Sequence, residues 1–106
     1  MKTNLCLIYV TVSSLEEGKK IASALIDKHL IACANLTPGM TSIYRWEGKL
    51  ETSSEVVLLL KTEPSRFSEI EKIVKALHSY QVPCLLRLDV PEASEAYGNW
   101  LLAELK

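Results

Sequence analysis

The chain has little of what most chemistry requires. Its 4 glycines are scattered over 106 residues and never cluster into a phosphate-binding loop. No Gly-x-Ser-x-Gly elbow presents a nucleophile, and no His-Glu-x-x-His pair holds a catalytic zinc. The cysteines, Cys6, Cys33 and Cys84, form no Cys-x-x-Cys pair. Each lies among apolar residues, as reduced, buried thiols of a cytosolic protein do. Lys and Arg number 12 against 13 Asp and Glu, so no basic face is implied and nucleic acid is not expected as a partner. No apolar run reaches membrane-spanning length, and Leu5–Val10 is not followed by a cleavage pattern. The expectation is one cytoplasmic domain, residues 1–106, with no membrane partner.

What is present is dense in strand and helix signals. Leu5–Val12 is a nearly unbroken apolar run, the pattern of an interior strand. Ser14 with Glu17 three residues on is a capping box, and Ile21, Ala22, Leu25 and Ile26 form the apolar stripe of a helix to about Leu30. From Ala34 to Trp46 the even positions are mostly apolar, a strand period that Pro38-Gly39 interrupts with a bulge or bend. Glu47-Gly48 then makes a short turn into Lys49–Thr62, where Val56–Leu60 is too continuously aliphatic for one face of a sheet. A second helix follows Pro64 and ends near His78-Ser79. Leu85–Val90 is a fourth strand stopped by Pro91, and Ser94 caps a last helix carrying Tyr97, Trp100, Leu101 and Leu105. The order β-α-β-β-α-β with a C-terminal helix predicts an α+β, ferredoxin-like sandwich with both main helices on one face of an antiparallel sheet.

The central hairpin is too long for the globule. Ala34–Trp46, at roughly 3.3 Å per residue, spans about 43 Å, whereas a domain of this length has a diameter of roughly 35 Å. Tyr44 and Trp46 lie near the tip, beyond any core of their own, and are expected to dock on a neighbouring subunit. The competing reading is a bend at Pro38-Gly39 that folds the hairpin back.

Few side chains are candidates for chemistry. His78, beside Ser79 and Tyr80 and close in sequence to Cys84, could bind metal or move a proton. It could equally meet a helix C-terminal dipole. His29 reads as a surface or capping residue. Cys33 and Cys84, at strand entries, stay open as soft copper ligands, while Cys6 reads as core. Lys61-Thr62, at a strand exit, could meet an anion. Glu47, Glu51 and Glu55 could add oxygen ligands or pair with Lys49 or Arg45.

Three segments together carry a resemblance: Leu30–Asn35 running on to the Tyr44-Arg45-Trp46-Glu47-Gly48-Lys49 hairpin, then His78-Ser79-Tyr80-Gln81-Val82-Pro83, then Tyr97-Gly98-Asn99-Trp100-Leu101. The chain resembles the CutA family, the divalent-cation tolerance proteins, over essentially its whole length. The resemblance implies a homotrimer braced by long hairpins, with Tyr44 and Trp46 as trimer contacts and an assembly similar to PII-type signalling proteins. It implies copper or another divalent metal as a weakly bound ligand, none being required for folding, and no catalytic residues. The family's copper site uses a strand cysteine and two adjacent histidines. These fall on Val10, Leu77 and His78, so two of the three ligands are replaced. His78 with Cys84 is the remaining metal candidate. The alternative is a PII-like signalling module holding a small anion or metabolite in an intersubunit cleft lined by Lys61, His78, Tyr80 and Trp46. A small hydrolase using a cysteine and His78 is a third reading, which needs an exposed thiol of low pKa.

Overall fold

A computed structural model describes residues 1–106. The elements run β1 (Lys2–Val12), α1 (Leu15–Asp27), β2 (Cys33–Trp46), β3 (Lys49–Thr62), a 3-10 turn (Pro64–Arg66), α2 (Phe67–Leu77), β4 (Leu85–Glu92) and α3 (Glu95–Glu104). The sheet is antiparallel in the order β2-β3-β1-β4. This is the ferredoxin-like arrangement, with α1 and α2 on one face.

The apolar runs explain that layering. On β1 the residues Cys6, Ile8, Val10 and Val12 point to the helices. Across the ladder, Val56, Leu58 and Leu60 of β3 do the same, meeting Ile21 and Leu25 of α1 and Ile70 and Val74 of α2. Each fully buried aliphatic side chain contributes about 1.5–3 kcal/mol. Pro91 does not end β4, which continues to Glu92. An edge strand has one side free of ladder bonds, so proline's missing N–H is tolerated there. α1 stops at Asp27 rather than near Leu30, because His29 takes φ 55° and turns the chain. Its Nδ1 lies 3.1 Å from the Glu104 carbonyl oxygen, so His29 ties the end of α1 to α3.

The opposite face of the sheet is only partly covered. α3 closes one end, where Leu101 and Leu105 pack on Leu5. Beyond it Leu86 and Leu88 stay 59% and 48% exposed.

The hairpin runs out as one long arm. Its turn is the two-residue Glu47-Gly48, both at positive φ, between the paired Trp46 and Lys49. Two residues at positive φ match the twist of a tight hairpin, and glycine takes that conformation without strain. The molecule measures 45 × 25 × 23 Å, so the arm stands clear of the globule and does not fold back.

Pro38-Gly39 is a bulge. Thr37 pairs with Val57 and Met40 with Glu55, leaving one extra residue in β2, with Gly39 at φ 81°. The extra residue reverses which positions face which side. Ala34 and Leu36 point to the helices, whereas Met40, Ser42, Tyr44 and Trp46 share the other face with Glu55 and Val57. The even positions of the sequence therefore do not form one continuous face.

Candidate ligand site at the root of the hairpin

The bulge places the aromatic side of the arm beside the uncovered face of β1. Between them lies a cavity of about 640 Å³, a size suited to a small molecule. Tyr9 and Thr11 of β1 and Ser42–Tyr44 with Trp46 of β2 line one part. Glu55 of β3 and the segment Tyr80–Val82 with Cys84, leading from α2 to β4, line the rest.

Glu55 and Tyr80 form its polar centre. Glu55 is 7% exposed, and its Oε2 accepts a 2.7 Å hydrogen bond from the Tyr80 hydroxyl. Burial first, then that bond, pushes the Tyr80 phenol well above its ordinary range, so it stays a donor. Burial, and secondarily Glu55, also raises the Cys84 thiol. Cys84 is therefore neither an activated nucleophile nor a ready thiolate ligand near neutral pH.

Behind this wall stands His78, whose side chain has no exposed surface. Its Nδ1 accepts from the Tyr80 backbone N–H at 3.0 Å, and its Nε2 donates to the Thr11 carbonyl at 2.7 Å. Those partners select the neutral tautomer protonated on Nε2. Glu17 extends the network. Its Oε1 accepts from the backbone N–H and hydroxyl of Ser13, its Oε2 accepts from the Ser79 N–H at 2.7 Å, and Oε2 lies 3.8 Å from His78 Nδ1. Burial pushes the Glu17 carboxyl up, but the bonds from Ser13 and Ser79 outweigh it and hold the pKa at about 2. The Ser14 Oγ accepts from the Glu17 N–H as a capping box requires, yet the returning carboxylate bonds Ser13 instead of Ser14. The cap thus doubles as a clamp on the segment that carries Tyr80.

The expected residues separate into two places. Trp46, Tyr44, Tyr80 and Cys84 meet at the cavity, with His78 buried behind it. Lys61 does not line it. Lys61 lies toward α3, where its Nζ donates to the Tyr97 hydroxyl at 3.1 Å, a bond that raises its pKa.

The donor set does not fit a metal held within one chain. Both His78 nitrogens are engaged, and no three His, Cys, Asp or Glu side chains are grouped to hold an ion. Val10 and Leu77, where the resemblance would place two further ligands, have no donor atoms; Val10 is fully buried.

The sequence shows Glu17 only as a capping residue and gives Glu55 too little weight. The bond from Ser79 to Glu17 joins residues 62 apart, and no local pattern announces it. Glu55 reads in the sequence as one of three carboxylates that could bind an ion or pair with Lys49 or Arg45, but the register sets it against Met40. The one available signal was a lone glutamate before five aliphatic residues, at the start of the buried half of its strand.

The family model described as "CutA1 divalent ion tolerance protein" matches residues 6–104. The divalent-cation tolerance protein CutA of Thermus thermophilus is 42% identical over 95 residues, covering 90% of this chain and 92% of the relative. A chloroplastic CutA of Arabidopsis thaliana is 40% identical over 90% of this chain, which spans 52% of that longer protein. The solved structure of a CutA of Archaeoglobus fulgidus, described as periplasmic, superposes with a TM-score of 0.93 at 35% identity, covering 96% of this chain and 99% of that one.

Proposed function

The chain belongs to the CutA1 family of divalent ion tolerance proteins, and from that premise we propose that it acts as a non-catalytic homotrimer in the response to divalent cations. The observation that carries the assembly is the arm. Ile43 and Leu50 are 68% and 70% exposed, and Tyr44 and Trp46 are also large exposed apolar groups. Apolar residues on both faces of a two-stranded arm have nothing in their own chain to cover them. A neighbouring copy supplies that cover, and the bare Leu86 and Leu88 give a second surface for it. No helix is long and apolar enough to cross a membrane, and we assign the protein to the cytoplasm on its reduced, unpaired cysteines.

In this reading copper or another divalent ion is bound weakly, and folding draws on the 13-residue apolar core. No ligand set for such an ion is complete within one chain, so in this reading its ligands come from more than one copy. Native mass spectrometry with and without copper tests both parts at once. The expected result is three chains, with metal lost on mild dilution. A single chain, or tight stoichiometric copper abolished by His78→Ala, would refute the reading.

The cavity favours a second reading, a PII-like module binding a small molecule where copies meet. With Lys61 turned to Tyr97 and Glu55 inside the cavity, the ligand is not expected to be an anion.

A further inference from the structure

The lining of the cavity has an unusual charge balance. It contains no Lys, Arg or His, and Glu55 is its one carboxylate. The nearest arginine in sequence, Arg45, turns its guanidinium to the Gly48 carbonyl at the turn. Three of the chain's 4 tyrosines and one of its 2 tryptophans face the same space. The Tyr80 hydroxyl occupies one Glu55 oxygen. The other has no hydrogen bond, and no buried polar atom is left unsatisfied, so that oxygen opens into the cavity. Cys84, the other titratable group near Glu55, stays a neutral thiol.

Aromatic faces attract cations through their quadrupoles, most strongly where water is partly excluded, and a carboxylate among them adds a directed partner. The same surroundings repel anions and leave a bare metal ion without enough oxygen or nitrogen ligands. We propose that this cavity binds a small organic monocation, an ammonium with an apolar body, its charge on Glu55 and its body between Tyr44, Trp46 and Tyr80. Tyr80 then has a positioning role: its hydroxyl fixes the carboxylate, and the Glu17 clamp on Ser79 fixes Tyr80. This inference rests on the small-molecule reading above and names the class of ligand.

Three probes of similar shape separate charge from shape: benzylammonium, benzyl alcohol and benzoate, titrated into the intact protein by calorimetry at neutral pH. Benzylammonium is expected to bind at least about tenfold more tightly than benzyl alcohol, with no benzoate binding, a discrimination of about 1.4 kcal/mol. Glu55→Gln keeps an acceptor for Tyr80 and is expected to bring benzylammonium down to the level of the alcohol. Trp46→Leu is expected to weaken both. Equal affinity for cation and alcohol would overturn the cation while keeping a small-molecule site. No heat from any probe up to ~10 mM would remove the small-molecule reading too, as expected if a neighbouring copy's own side chain fills the cavity.

Discussion

The two ends of β3 obey different rules. From Val56 to Thr62 alternate residues are sealed under α1 and α2, and Leu58 and Leu60 have no exposed surface. From Lys49 to Ser53 the same strand carries Leu50 into solvent with no helix above it. The ladder with β2 runs through both halves, broken by the one bulge, but only the base also pairs with β1 along its other edge. A second ladder and burial therefore both set the base apart from the arm. The base has its own core, whereas the arm presents surface that only another molecule can cover. The boundary falls at the Pro38-Gly39 bulge and Glu55, which is also where the cavity lies.

Substitutions should separate the halves. Leu58→Ala, in the base, is expected to cost about 2–5 kcal/mol in urea unfolding, the range for emptying a sealed site. Glu17→Gln comes next, at about 2 kcal/mol near neutral pH, the scale of hydrogen bonds to a charged group. Its pH dependence has a definite sign. The folded-state pKa of about 2 lies below the ordinary 4.5. The stabilisation is therefore present above 4.5 and is lost as pH falls from 4.5 toward 2, so wild type and Glu17→Gln should converge in acid. Tyr80→Phe leaves the buried Glu55 oxygen without its donor and is expected to cost about 1 kcal/mol. Leu50→Ser, in the arm, should change the folding stability of the isolated chain by less than about 0.5 kcal/mol. Its effect should appear in assembly. If Leu50→Ser unfolded the chain as severely as Leu58→Ala, the contrast between base and arm would be lost.

Much of the fold was legible because apolar patterning and turn chemistry are local. Val56–Leu60 announced an interior strand, though only its helix side is sealed and Val57 and Leu59 stay half-buried; Glu47-Gly48 announced the tight turn, and the length of Ala34–Trp46 announced an arm that outreaches the globule. The bulge was legible as an interruption, but its consequence was not. One extra residue moves Met40, Tyr44 and Trp46 to the face opposite Ala34 and Leu36, and the alternation read along the chain hides that switch. The site was the least legible part. The Glu55–Tyr80 bond spans 25 residues and the His78–Thr11 bond 67. Such pairings depend on how α2 delivers its C-terminal segment over the end of β1, which no short pattern encodes. His78 drew attention as a possible ligand, yet the structure uses it to brace Tyr80 against Thr11.

Sedimentation equilibrium of the wild type beside the double variant Ile43→Ser, Leu50→Ser tests most directly whether the arm is completed by other copies. The account predicts a wild-type mass of three 11.9-kDa chains, and a variant that dissociates while keeping its helical and sheet content. A wild type that sediments as one chain, or a variant that stays trimeric, would contradict it.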